Sequence, residues 1–383
     1  MSLRAKIEQE IRERGPMPFS RYMEICLYDP VQGYYSRNAE QFGKAGDFYT
    51  SSDVHAVFGR LLARQFEEMW RALDRPPQLE ILELGPGRGL FARDVLDWSN
   101  KKFPDFFAAL TYTLQESSPS LRARLQETLY EHLDSGRAAV PEERPSLAQR
   151  FSAGNHAKDD QVSEGRPTGP CRTLAPRAPL IIFANEFLDA LPVEILGAQG
   201  KLHLALENGR LHEIWLPPTA EELEFLDRYS VHPELGERIE VSLPAQQWIT
   251  QIAHTIQRGS LLIIDYGYTR NEQLAGHHRG TLMAYRQHSA SANPYQAPGE
   301  QDLTAHVNFT ALTAAATQAG MQVQTLVTQS QLLMRIGETN QFADAFEDCR
   351  LPQERAKVAL QLKHLVTPAG MGENFQVLLA RRE

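Results

Sequence analysis

Apolar residues along the chain recur at two different periods, and the changes of period divide it. Leu3, Ile7 and Ile11 fall on one face of a short amphipathic helix, and Leu61, Leu62, Phe66, Met69 and Trp70 make a second helical stripe. Pro76-Pro77 closes this opening helical region, because proline cannot continue a helix. Strand-like runs then alternate with helical ones. LEILEL (79–84) precedes a helix carrying Leu90, Phe91, Val95, Leu96 and Trp98. TYTLQE (111–116) precedes a helix that Ser118 caps and Pro119 starts, with Leu121, Leu125 and Leu129 on its apolar side. PLIIFAN (179–185) and SLLIIDYG (260–267) read as buried strands, the second entered from a helix over about 244–257. A helix over about 310–319, strands within 321–336 and a strand at FQVLLAR (375–381) follow. This alternation predicts an α/β fold with a mostly parallel sheet and a mixed edge.

Two stretches break the rhythm. Residues 135–178 are rich in Pro, Gly, Arg and Ser and read as a long loop. A third core strand should lie near here, and the pattern does not place it. From 193 to 216 the period becomes two, around Asn208-Gly209, the favoured chemistry of a two-residue hairpin turn. The expected organisation is a helical or lid segment at 1–75, a core at 76–192 and 255–383, and an antiparallel excursion at 193–254 on the substrate side.

Composition narrows the function. The chain has 383 residues, 42% apolar and 23% charged, ordinary for a globular protein with a large core. Cys26, Cys171 and Cys349 are too few for a disulfide framework and include no CxxC pair for zinc. A net charge of −9 argues against a broad nucleic-acid footprint and favours a cationic partner. No run approaches the ~20 apolar residues of a membrane helix, and the first residues lack a secretory apolar core. The expectations are a cytoplasmic location, no membrane insertion and no nucleic-acid partner.

Chemistry concentrates at ELGPGRG (83–89), where a strand becomes a helix. Glycines there let backbone approach a ligand, and free helix amides favour polar or anionic groups. A dinucleotide fingerprint would need glycine at position 90, which is Leu90, and the Gly-Lys-Ser/Thr ending of a phosphate loop is missing. Glu83 with Gly85, Gly87 and Gly89 instead resembles the E/D-x-G-x-G-x-G motif of S-adenosylmethionine-dependent methyltransferases. Glu116 ends the next strand, where a carboxylate can accept both ribose hydroxyls. The cofactor residues expected are Glu83, Gly85, Pro86, Gly87, Gly89 and Glu116, with S-adenosyl-L-methionine as the ligand.

Further segments extend the likeness: RYMEICLYDPVQGYY (21–35), GKAGDFYTSSDVHAVFG (43–59), NEFLDALPVE (185–194), LLIIDYGY (261–268), GTLMAYRQH (280–288) and PGEQDLTAHVNF (298–309). Together the chain resembles the MidA family of methyltransferases over roughly residues 18 to 336. At Asn308 that family usually has an aspartate. The resemblance implies a class I, Rossmann-like methyltransferase core. The family's mitochondrial member is a respiratory complex I assembly factor and a protein arginine methyltransferase, so the resemblance implies an arginine-containing protein as acceptor. A cofactor-binding assembly chaperone and a small-molecule methyltransferase stand as alternatives.

An arginine acceptor calls for carboxylates that grip a planar guanidinium. Asn185, Glu186 and Asp189, with Glu194 beyond, supply them at a strand's carboxyl end, where open α/β sheets bind ligands. Glu186 and Asp189 could equally be charges at a helix start. Tyr266 ends another strand and either walls the acceptor channel or belongs to a tight turn. Asp47 sits in a segment that either folds over the cofactor or is a self-supporting loop. His288 and His306 have no metal-ligand spacing.

Overall fold

A computed structural model describes residues 1–36, 56–141, 178–286, 289–291, 293–368 and 370–383. Its centre is a sheet whose strands run, from one edge, Gln322–Val323, Phe375–Arg382, Gly259–Tyr268, Leu180–Asn185, Leu79–Leu84, Leu110–Gln115 and Ala138–Ala139. The last five are parallel to one another, and Phe375–Arg382 runs antiparallel beside Gly259–Tyr268. Successive parallel strands return through helices, which bury both faces and explain why the strands read as nearly unbroken apolar runs. The missing third core strand is Ala138–Ala139, paired with Tyr112 and Thr113. Two residues are too few to carry a periodic signal.

One face of the sheet packs helices Val57–Ala72, Leu90–Lys102 and Gln329–Glu338. Here Phe91 stacks on Phe183 at 4.7 Å, and Phe66 meets Phe183 edge-on at 5.5 Å. All three rings are buried, and each contributes about 1.5–3 kcal/mol by leaving water. The other face packs Leu243–Thr255 and Phe309–Gln318 through Trp248 and Phe309. The expectation of strands within 321–336 is met by two short ones. Only Gln322–Val323 and Val327–Thr328 are extended, and Gln329–Glu338 is helical. Thr328 and Gln331 cap that helix reciprocally, and Leu332, Leu333 and Ile336 bury its apolar side. The sequence reading also passed over helix Pro352–Val366, whose buried contribution is limited to Val358 and Leu365.

A second, antiparallel sheet holds Met17–Pro18, Glu194–Gly197, Gly200–Glu207, Arg210–Leu216 and Ile239–Val241. Asn208 and Gly209 turn the hairpin at φ 50° and 72°. Helices Leu3–Arg14 and Phe19–Tyr28 bury Ile7, Phe19 and Tyr22 with Leu202 and Leu204 of this sheet. Residues 1–75 are thus shared out: the first two helices accompany the antiparallel sheet, whereas Val57–Ala72 packs in the core. A third small sheet pairs Met283–Arg286 with Ser289–Ser291 and Asp302–Thr304. No helix among the described residues is long and apolar enough to cross a membrane.

Candidate active site

Strand Leu79–Leu84 ends in a tight turn at the carboxyl edge of the sheet. The Gly85 amide donates to the Gln115 carbonyl (3.1 Å), and the Gly89 amide donates to the Pro86 carbonyl (2.9 Å). Gly85, Gly87 and Gly89 all adopt left-handed backbone, at φ 63°, 55° and 75°. Their missing side chains face different surroundings. A Cβ on Gly85 would lie 2.6 Å from the Phe187 ring, and one on Gly89 would lie 2.6 Å from Leu125 Cδ2. A Cβ on Gly87 would meet nothing within 4 Å among the described residues. The first and third glycines allow close packing, whereas the middle one fronts open space where a ligand can approach the backbone.

Two carboxylates flank this turn. Glu116 accepts from the Ser118 amide (2.9 Å) and from the amides of Ser117 and Gly87. Burial pushes its carboxyl up to about 7 against the pull of those amides. The Gly87 bond brings Glu116 to the open side of the turn, as a ribose-binding acid requires. Glu83 is buried and accepts from the Tyr112 hydroxyl at 2.9 Å, and burial pushes it up to about 8. These features form a cradle suited to the nucleoside part of S-adenosylmethionine.

Across from the cradle, strand Leu180–Asn185 ends at Glu186, a non-glycine residue with φ 50°. Asn185 Nδ2 donates to Glu186 Oε1 (3.0 Å), while Asn185 Oδ1 is buried without a hydrogen-bond partner among the described residues. Asp189 is buried. Burial holds its carboxyl well above the usual range, and the charges of Asp265, Asp302 and Glu186 raise it further. Among the described residues no cation forms an ion pair with Asp189 or Asp265. Tyr266 packs on Phe375 at 3.9 Å between ring centroids and stacks on His306 at 6.0 Å. Its hydroxyl is held above its usual range by burial and then by Glu186 and Asp189. The structure therefore brings Asn185, Glu186, Asp189 and Tyr266 into one acidic, aromatic-walled corner. Glu194 lies apart, accepting from Ser20 Oγ at 2.7 Å in the antiparallel sheet.

The sequence reading gave no role in this corner to Asp265, Asp302, Tyr28 or Tyr35. Asp265 is fully buried and accepts backbone amides from the turn after Asn185. Asp302, also buried, accepts from the Tyr35 hydroxyl at 2.9 Å, and Tyr28 donates to the Ala190 carbonyl at 2.9 Å. Asp265 and Asp302 both occur in segments that carry the family resemblance, DYG and QDLTAHV, but nothing in their spacing marked them as neighbours of Asp189. His306 is pushed down to about 4, first by burial and then by His278, whose Nδ1 lies 3.2 Å from its own. Asp47 and His288 fall outside the described residues. No group of three or more His, Cys, Asp or Glu among the described residues could hold a metal.

A glycine cradle at the carboxyl edge of a largely parallel sheet, with a carboxylate ending the adjoining strand, defines a class I S-adenosylmethionine-dependent methyltransferase. Comparison with known proteins agrees. A model of a family of S-adenosyl-L-methionine-dependent methyltransferases matches residues 61–327. A Drosophila melanogaster relative, named as the mitochondrial protein arginine methyltransferase NDUFAF7 homolog, is 30% identical over 98% of this chain and 84% of its own. The Homo sapiens protein arginine methyltransferase NDUFAF7 is 26% identical over 96% of this chain and 80% of its own. A Burkholderia thailandensis structure with S-adenosyl-homocysteine bound aligns with TM-score 0.78 and 27% identity, over 99% of this chain and 92% of that one. The chain belongs to this MidA-like methyltransferase family, and S-adenosyl-L-methionine is its cofactor.

Proposed function

We propose that this protein methylates arginine on a partner protein. The observation that carries the reading is the gathering of Glu186 with the buried carboxyl groups of Asp189, Asp265 and Asp302 in one corner, a set of oxygen acceptors that the N–H donors of a guanidinium fit. The names of the relatives point the same way. Bound S-adenosylmethionine supplies a methyl group on a sulfonium, already activated for in-line displacement. Gly85, Pro86, Gly87, Gly89 and Glu116 would hold it, with Glu83 supporting the strand beneath.

The residues of the acidic corner would bind and aim the acceptor. A guanidinium offers five N–H donors in a plane, and Glu186, Asp189 and Asn185 Oδ1, which has no partner among the described residues, are acceptors suited to it. Tyr266 walls the corner and limits the ways a side chain can enter. As an N–CH₃ bond forms, the attacking nitrogen must give up a proton. Asp189 in its ionised form, with a proton affinity that burial and neighbouring charge raise, would take it. Holding both reactants in line is the main catalytic work, because alignment alone can remove roughly 7–11 kcal/mol of barrier.

The test is transfer of radiolabelled methyl from S-adenosylmethionine into a lysate, followed by acid hydrolysis and residue analysis. Label in methylarginines is expected. Label confined to other residues or to small molecules refutes arginine as the acceptor, and no transfer into any acceptor refutes turnover.

A further inference from the structure

Both carboxylate oxygens of Asp265 are engaged by backbone amides of the acceptor corner. Asp265 sits near the carboxyl end of strand Gly259–Tyr268, wholly buried. Its Oδ2 accepts the amides of Phe187 (3.1 Å) and Leu188 (2.7 Å), and its Oδ1 accepts the amide of Tyr266 (2.9 Å). The amide of Asp189 also acts on it. One side chain thus gathers three successive amides of the turn that carries the acceptor carboxylates.

That turn needs such support. Glu186 holds left-handed backbone that residues other than glycine rarely adopt, and surrounding contacts must impose it. The Glu186 amide is fixed to the Ile264 carbonyl at 3.0 Å, one residue before Asp265 in the same strand. On its other side the turn carries Phe187, whose ring fills the space a Cβ on Gly85 would need and packs 5.3 Å from Trp248. A single rigid turn therefore bears on the cofactor glycines through Phe187 and on the acceptor through Glu186 and Asp189.

We propose that Asp265 is the positioning residue that sets the acceptor carboxylates in register with the cofactor cradle. The inference rests on the reading of this corner as the acceptor site, though not on the acceptor being arginine. A carboxylate is suited to the task because both oxygens accept. Asparagine has the same size, but its NH₂ would confront either the Tyr266 amide or the Phe187 and Leu188 amides.

The experiment compares wild type with Asp265→Asn in methyl transfer to whichever acceptor the wild type labels, in S-adenosylhomocysteine calorimetry, and by crystallography. Expected is a fall in kcat of about 100-fold, the cost of misplacing reacting groups by roughly 1 Å. Acceptor KM and S-adenosylhomocysteine affinity should stay within about threefold, with the 186–189 backbone displaced. A kcat near wild type, or a fall in kcat with that backbone unmoved, overturns the proposal. If the variant does not fold, hydrogen exchange in wild type decides. The amides of 187–189 should be strongly protected, and exchange as fast as an exposed loop overturns the proposal. Label on a residue other than arginine would sink the arginine assignment while leaving the Asp265 comparison intact. Even if wild type transferred no methyl, the variant structure and the exchange data would still decide on Asp265.

Discussion

Replacing Gly87 with valine separates the cost of an unusual backbone from the cost of a blocked ligand. At φ 55° a β-branched side chain is a conformational outlier, and a left-handed L-residue costs about 1–2 kcal/mol. Its Cβ meets nothing within 4 Å among the described residues, so they add no steric cost of packing. A loss of that size lowers the melting temperature by only a few degrees in a protein this large. Gly89→Val carries the same backbone cost, and its Cβ must also displace Leu125 from 2.6 Å. Overpacking of this kind adds about 1–3 kcal/mol. The two variants should therefore rank oppositely. Gly87→Val melts close to wild type but loses at least about 100-fold in S-adenosylhomocysteine affinity, equivalent to ~2.7 kcal/mol, because its methyls occupy the approach to the backbone. Gly89→Val is the less stable of the two. Thermal melting with and without ligand, and calorimetric titration, measure both quantities. Wild-type affinity in Gly87→Val would refute the assignment of that open space to the cofactor.

Two further outcomes follow from particular contacts. Glu116 is raised to about 7, and a ribose-binding role requires its ionised form. Ligand binding should release a proton below that value, so affinity should rise about tenfold per pH unit up to it and level off above. Calorimetry from pH 5.5 to 8.5 tests this, and a slope unchanged in Glu116→Gln would assign the effect elsewhere. Asn308 Oδ1 caps helix Phe309–Gln318 at the Ala311 amide, and its Nδ2 donates to the Tyr229 carbonyl at 2.8 Å. Asn308→Asp keeps the cap but sets a carboxylate against that carbonyl, a loss of about 1–3 kcal/mol that a melting curve would show. Equal stability would mean that the Tyr229 contact contributes nothing.

The cradle was legible because its chemistry is local. Strand, glycine spacing and helix follow one another within a dozen residues, and Glu116 ends the very next long strand. The acceptor corner was legible at two strand ends, as Asn185, Glu186 and Asp189 on one and Tyr266 on the other. Asp265 and Asp302 reach it by long-range pairing: Ile264 lies in register with Asn185, and the Ala305 amide donates to the Asp189 carbonyl at 2.9 Å. No periodicity encodes such encounters. The short strand Ala138–Ala139 was missed for a different reason, and the two within 321–336 were expected without their bounds. Ala138–Ala139, Gln322–Val323 and Val327–Thr328 are extended because a neighbouring strand pairs with them, not because two residues have a preference strong enough to read.

The reversed strand Phe375–Arg382 also governs when the protein can be completed. It covers Gly259–Tyr268 along eight paired positions, and Gln376 lies opposite Asp265. During synthesis residues 259–268 emerge long before residue 375, leaving an apolar strand edge open for the interval. The residues that align the acceptor corner therefore cannot settle until this strand arrives. Because the same turn packs Phe187 against Gly85, the last strand to be made bears on the cofactor side of the cleft as well as on the acceptor side.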